Sequence, residues 1–416
     1  MKLTTVLFGL TGLVGLALSQ AIIKNSGVDS AAVVPDSYIV MYKPNMKSGS
    51  KQKHEHTITS KAKTKGKEGV IENINLGGFQ GYIAEIPASE LKDVINSDLV
   101  AYIEKDTVVN ITAAAAFPFG PLTKRAYTNQ QRAPWGLARI SHAPNPNSPG
   151  FDSSYYYDTT AGAGTNVYII DTGIRITHKE FSDGRATWGA NFISGSPNTD
   201  EYGHGTHVAG TIGGKTYGVA KSCQMLAVKV LDKTGSGTMA GVIQGLQWTV
   251  KNAKARGVTK KAVINMSLGG YYTAAVNDAV KAATDAGLTV VVAAGNSNDD
   301  ASYYSPASAP SAITVGAVEA SNYRTAWSNY GSLVDIFAPG SGVLSSWHLS
   351  DSGSRYLSGT SMAAPHVAGL AAYFISKEGI RGSAAVTQRI LSAAIPNVVS
   401  DPNGSNNRLA YNAGGA

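Results

Sequence analysis

Three residues in glycine-flanked bends, Asp171, His204 and Ser361, supply a carboxylate, an imidazole and a hydroxyl. Together these groups can turn an alcohol into a nucleophile. Ser361 lies in Gly359-Thr360-Ser361-Met362-Ala363-Ala364-Pro365-His366-Val367-Ala368-Gly369. The small apolar residues after it predict a buried helix, whose first N–H groups and positive dipole end would stabilise negative charge near the hydroxyl. Taken alone, the same stretch reads equally well as an N-cap serine on a core helix. Pro365 is expected in the first turn, where a missing N–H costs least. Asp171 closes an apolar run, which predicts a partly desolvated carboxylate at a sheet edge in need of a donor. His204 sits in Tyr202-Gly203-His204-Gly205-Thr206-His207 ahead of another small-residue helix. His207, three residues on, lacks the HExxH pattern of a zinc pair, so packing or hydrogen bonding is expected of it. Asn296, after Ala293-Ala294-Gly295, is in isolation an ordinary turn asparagine.

These residues need a scaffold. From about residue 160, strand-like runs at 166–170, 225–231, 262–267 and 289–294 alternate with helical patterns. The clearest helix, 273–286, carries Val276, Ala279, Val280 and Ala283 on one stripe and Gly287 as a stop. The pattern predicts an α/β fold with a mostly parallel sheet covered on both faces. Ligands in such folds collect beyond the carboxyl ends of the strands, where Asp171 and Asn296 fall. Ahead of it, strands at 37–43, 79–86 and 100–104 and a short helix at 87–95 predict a small α+β domain. Lys61-Ala62-Lys63-Thr64-Lys65-Gly66-Lys67 reads as a solvated loop. Residues 110–125 read as a linker with a processing point at Lys124-Arg125.

Composition narrows the class. The chain has 416 residues, 43% hydrophobic and 15% charged, with 46 glycines, as in a compact protein rich in tight turns. A net charge of +7 without a basic helix interleaved with aromatics argues against nucleic-acid binding. Met1-Lys2, an apolar run at 6–18 and the small residues Ser19 and Ala21 have the form of a secretory signal, and no stretch is long enough for a membrane span. Export is expected, yet Cys223 is the only cysteine, so no intrachain disulfide can form. With no adjacent histidine, Cys223 is expected to be a packed thiol.

The stretches around Asp171, His204 and Ser361 resemble those of the subtilisin-like serine proteases. Ala133-Pro134-Trp135-Gly136-Leu137-Ala138-Arg139-Ile140-Ser141 is similar to the proteinase K-like branch, with fungal secreted, cuticle-degrading members nearest, and residues 37–106 resemble the family's inhibitory prodomain. The resemblance implies a three-layer fold preceded by a small α+β, ferredoxin-like prodomain. The division would be a signal at 1–21, a propeptide at 22–125 folded over 37–106 with a linker at 107–125, and a peptidase at 126–416. It further implies Ser361 as nucleophile, His204 as acid and base, Asp171 as its orienting carboxylate and Asn296 as oxyanion donor. Such a base works at near-neutral to alkaline pH.

By the same resemblance, Gly235-Ser236-Gly237-Thr238-Met239 and Ser267-Leu268-Gly269-Gly270 form two backbone edges between which a peptide adds as a strand. Ala293-Ala294-Gly295 and Ser267-Leu268-Gly269 would wall an uncharged primary pocket, favouring apolar and aromatic side chains. Met239 and Leu268 would line a second pocket or simply fill the core. A structural calcium would rest on Pro310, Ala312 and Asp335, unless Asp335 only caps a turn. The family often has a cysteine where this chain has Val208, which shifts extracellular stability onto packing. Expected partners are protein and peptide substrates and the chain's own propeptide, in a monomeric, extracellular enzyme. Asn110-Ile-Thr and Asn403-Gly-Ser are candidate glycan sites, and Asn265-Met-Ser, in a buried strand, should stay bare. Two other readings compete. An α/β-hydrolase esterase would need a further glycine after the serine and the order Ser, Asp, His, and a silent binding protein should have lost one of the three residues.

Overall fold

A computed structural model describes residues 20–111, 129–145 and 153–414. Most of the leader, the chain from 112 to 128 and the processing point at Lys124-Arg125 lie outside them.

The larger unit is built on a nine-stranded sheet. In spatial order its strands are Ile395–Pro396, Arg408–Leu409, Ile336–Pro339, Ile313–Val318, Thr289–Ala293, Ala262–Met266, Asn166–Asp171, Gln224–Lys229 and Ala186–Asn191. All neighbours pair in parallel except the first two. Alternate residues of each strand feed opposite faces, as the pleat requires. Val167, Ile169, Val291 and Val315 join a core with the helices His204–Gly213 and Thr360–Glu378. Tyr168, Ile170, Val290 and Val292 join another with Met239–Ala255 and Ala274–Asp285. The expected three layers follow directly from this two-sided burial.

The small unit runs strand Val33–Tyr42, helix Ser48–Lys63, strands Gly69–Leu76 and Phe79–Glu85, helix Leu91–Ile95 and strand Val100–Ile111. The sheet is antiparallel with the last strand beside the first, the ferredoxin-like arrangement. Tyr38, Val40, Tyr82 and Ala84 pack on the unit's own helices through Ile58, Leu91 and Val94. From the other face, Ile39, Met41 and Ile83 pack on the larger unit's helices.

Two expectations for this unit fail. Lys61 and Lys63 end a helix instead of lying in a loop. Only Ile58 and Ala62 of that helix are buried, so it has no apolar stripe to betray it. The last strand continues to Ile111, past the expected end of the folded segment at 106 and into the expected linker. Its extra hydrogen bonds go to distant segments, which nothing local in 105–111 could reveal.

Candidate active site

Asp171 is the last residue of its strand and is fully buried. His204 opens a helix directly across from it. The His204 Nδ1–H donates to the Asp171 carboxylate, 2.8 Å from Oδ1 and 3.0 Å from Oδ2. A carboxylate can only accept here, so the proton sits on Nδ1 and Nε2 is left as the base. That Nε2 is buried and has no hydrogen-bond partner.

Ser361 is the second residue of the helix Thr360–Glu378, behind an N-cap Gly359 whose φ of 155° is close to extended. Its hydroxyl donates to the Ser267 carbonyl at 2.9 Å, and no hydrogen bond joins it to His204 Nε2. Pro365 stands in the second turn, not the first as expected. Residue 365 would normally donate its N–H to the Ser361 carbonyl, and proline has none. The Ser267 hydroxyl takes over that acceptor at 2.9 Å. Thus Ser267, expected to face substrate, also braces the backbone of Ser361.

Asn296 follows the strand Thr289–Ala293 by a short bend. Its Oδ1 accepts from both the N–H and the hydroxyl of Thr360, at 2.9 Å each. Two donors on the oxygen fix which end of the amide is which and turn Nδ2 away from Thr360. Among the other expectations, His207 donates Nε2–H to the Val343 and Arg355 carbonyls at 3.0 Å, and burial pushes its pKa down to about 3. Cys223 is free and buried, and burial lifts its thiol to about 12. Asn265 is fully buried.

The expected substrate edges are occupied by the chain itself. In the strand Val100–Ile111, residues Val108, Val109 and Asn110 pair antiparallel with Thr238, Gly237 and Ser236. On the opposite side Asn110 and Ile111 pair with Gly269 and Leu268. The Ile111 N–H also donates to Gly235 O at 3.1 Å. Met239 and Leu268 are fully buried, and both belong to the core cluster that also holds Val109 of this strand. Beside the strand, a cavity of about 420 Å³ is lined by Gly269, Ala293, Ala294, Gly295 and Asn296. Gly270, part of the expected edge, also lines it, as do Tyr271 and Tyr304, which were not expected there. The run Gly269-Gly270-Tyr271 was the available signal for Tyr271. Tyr304 enters only because its strand pairs with Tyr271.

Two carboxylates of the same strand cap helices of the larger unit. Glu104 accepts from Ala274 and Ala275 N–H at 2.9 Å each, and Asp106 from Ala240 N–H at 3.0 Å. Both are buried, and desolvation raises both, Asp106 from 3.8 to about 6. A carboxyl raised in the docked state favours docking when protonated. The extra affinity is full below the undocked value near 3.8 and is lost as pH climbs through about 6. We expect the dissociation constant of the cleaved small unit from the peptidase to rise about ten- to a hundredfold between roughly pH 4 and 7. Asp106→Asn should remove most of that slope, and a flat profile for the unaltered protein would refute it.

Comparison with known proteins agrees with this architecture. Residues 162–414 match the Subtilase family, and residues 37–112 match Peptidase inhibitor I9. The chain belongs to the subtilase family. It is 47% identical over 387 residues to Subtilisin-like protease 2 of Pseudogymnoascus destructans, covering 92% of this chain and 91% of that one. To the Cuticle-degrading serine protease of Arthrobotrys oligospora it is 44% identical over 422 residues, covering 98% and 97%. The crystal structure of a cold adapted subtilisin-like serine proteinase superposes with a TM-score of 0.63 at 44% identity, covering 68% of this chain and 98% of that one. This subtilase is therefore a serine endopeptidase carrying its own inhibitor, and the esterase reading falls away. No helix among the described residues is long and apolar enough to cross a membrane.

Proposed function

We propose that Ser361, His204 and Asp171 form the catalytic triad of a secreted endopeptidase with broad specificity and a preference for apolar and aromatic side chains. The observation that carries this is the buried Asp171–His204 pair with Nε2 unpartnered, on a helix that shares its core with the helix whose first turn holds Ser361. Rotation of the Ser361 hydroxyl away from Ser267 would let Nε2 take its proton during attack and return it to the leaving amine. The Asn296 amide and the Ser361 N–H would receive the oxyanion. Asn296→Ala is expected to lower kcat about 10²- to 10³-fold with little change in KM, and a change under about threefold would exclude the amide from the transition state.

Broad specificity is supported by main-chain pairing on both edges, which ignores side-chain identity. The preference is supported by the absence of any charged residue among those the peptidase contributes to the cavity. Mass spectrometry of a mixed peptide library should give cleavage mainly after apolar and aromatic residues, and cleavage mainly after lysine or arginine would overturn the preference. Secretion is supported by the leader-like N-terminus, and the names of the relatives point to degradation of extracellular protein. Each of the three residues and the oxyanion donor is present, so nothing favours a silent binder.

A structural calcium is the remaining part of the proposal. No group of three or more His, Cys, Asp or Glu suited to a metal occurs among the described residues. By the family resemblance the ion would rest on the Pro310 and Ala312 carbonyls and Asp335. The fit is favourable at Asp335. Burial raises its carboxyl to about 6, with one oxygen held by the Thr314 N–H at 2.9 Å and Arg408 as a partial counter-charge. A cation there would relieve the desolvation. Chelation should lower the thermal midpoint of the unaltered protein and leave Asp335→Asn unmoved, and equal responses would remove Asp335 from the site.

A further inference from the structure

Four residues before His204 stands a buried carboxylate that the proposed chemistry does not use. Asp200 is 3% exposed, yet none of its hydrogen-bond donors is charged. Its Oδ1 accepts from the Thr172 hydroxyl at 2.8 Å, the Gly203 N–H at 2.7 Å and the Tyr202 N–H at 3.2 Å. Its Oδ2 accepts from the N–H and hydroxyl of Thr206, at 2.8 and 2.6 Å. A buried carboxylate that satisfied is strongly directional, because any movement strands several donors at once.

Those donors belong to the two segments that must meet. Thr172 follows Asp171, and its N–H donates to Asp171 Oδ1 at 2.7 Å. Gly203 and Thr206 bracket His204 in the first turn of its helix. The helix needs outside help there, because its N-cap is Gly203, at φ 107° and without a side chain to cap with. A Cβ at Gly203 would come 2.2 Å from His348 Nδ1, so no capping side chain fits. Asp200 takes the Thr206 N–H, and the Thr172 hydroxyl takes the Gly205 N–H at 2.9 Å. Thr172 is pinned from behind as well. Buried Lys229 donates Nζ–H to its carbonyl at 2.7 Å.

The strand end carrying Asp171 and the helix start carrying His204 are therefore tied twice. One tie is the Asp171–His204 hydrogen bond, whose charge distribution changes whenever His204 gains or loses a proton. The other, Thr172–Asp200–Thr206, involves no group that the reaction protonates. We propose that Asp200, acting through Thr172 and Thr206, is a positioning residue that holds His204 Nδ1 on the Asp171 carboxylate throughout the catalytic cycle. The proposal rests on the triad assignment above. It adds that the dyad's alignment is set by a hydroxyl–carboxylate bridge as well as by the dyad's own bond.

The test uses the full chain, matured in trans by a tagged and removable portion of unaltered enzyme. Thr172→Val deletes the bridging hydroxyl at constant shape, Thr172→Ser keeps it, and Asp200→Asn turns one acceptor into a donor facing donors. Thr172→Val and Asp200→Asn should each lower kcat about 10- to 100-fold with KM within twofold, the scale of a small misplacement of a catalytic group. The double variant should be no worse than Asp200→Asn alone. Thr172→Ser should recover at least half of the rate. The far-downfield proton resonance of His204 Nδ1–H should shift or broaden in the first two variants and stand in Thr172→Ser. Should Asp200→Asn fail to fold, Thr172→Val still decides. A folded Thr172→Val enzyme with kcat within twofold and an unmoved resonance overturns the proposal. So does an equal loss in Thr172→Val and Thr172→Ser. A drop of about 10⁶-fold in Ser361→Ala but none in Thr172→Val separates failure of this inference from failure of the triad.

Discussion

Ser361→Ala should lower kcat about 10⁶-fold while leaving KM within a few-fold, measured on a chromogenic peptide with an apolar residue before the scissile bond. The size follows from what is removed. Ser361 would supply the attacking oxygen, and its hydroxyl, at the mouth of a helix, donates to the Ser267 carbonyl. Alanine leaves that helix, the Ser267 bond to the residue 361 carbonyl and the Asn296 contacts to Thr360 in place, so substrate binding persists. The residue of activity, about 10³–10⁴ over water, would come from the oxyanion donors and orientation. Labelling by a serine-directed phosphonate should vanish in the same variant. Retention of more than about one-thousandth of the activity would show that another group attacks.

Asp171→Asn should lower kcat about 10⁴-fold near neutral pH with the fold intact. The carboxylate accepts from His204 Nδ1–H through both oxygens and from the Thr172 N–H through one. An amide keeps the shape but offers an N–H in place of one acceptor. The arrangement that relieves the clash puts the imidazole proton on Nε2, and the base is then capped on the side that must take the proton from Ser361. The site is fully buried, so water cannot substitute for the lost acceptor. The thermal midpoint should move far less than the rate, which distinguishes a wrong tautomer from unfolding. A decrease of less than tenfold would remove Asp171 from the triad.

Both variants also bear on latency. The inhibitor strand pairs with both edges proposed for substrate, with Asn110 opposite Ser236 on one side and Gly269 on the other. Its docking is reinforced where Glu104 and Asp106 occupy two helix N-termini of the peptidase, so the strand's own acids act as caps for helices made much later in the chain.

Motifs whose meaning is local were legible early. A small-residue helix after Ser361, apolar strands ending at Asp171 and near Asn296, and the stripe of Val276, Ala279, Val280 and Ala283 all carry their period or punctuation within a dozen residues. Those segments formed close to where they were expected. What stayed hidden depended on partners far along the chain. Residues 107–111 are a strand because Gly235 to Thr238 and Leu268 to Gly269 meet them. The helix Ser48–Lys63 is polar all round and is held by only two buried side chains.

By itself the sequence determined the chemical parts, the layered α/β scaffold and the presence of a separate small α+β unit, because residue type and short-range period decide which groups exist and which faces are apolar; only family resemblance marked that unit as an inhibitor. The tertiary structure decided which way those groups point. It turned the Ser361 hydroxyl to Ser267, used that residue to replace the N–H that Pro365 lacks, and closed the Asp171 and His204 segments with Asp200. Each of these is a hydrogen bond between residues far apart in the chain or set in a tight bend. Its geometry is fixed by how buried donors and acceptors are satisfied once the layers pack, and no local pattern records that accounting.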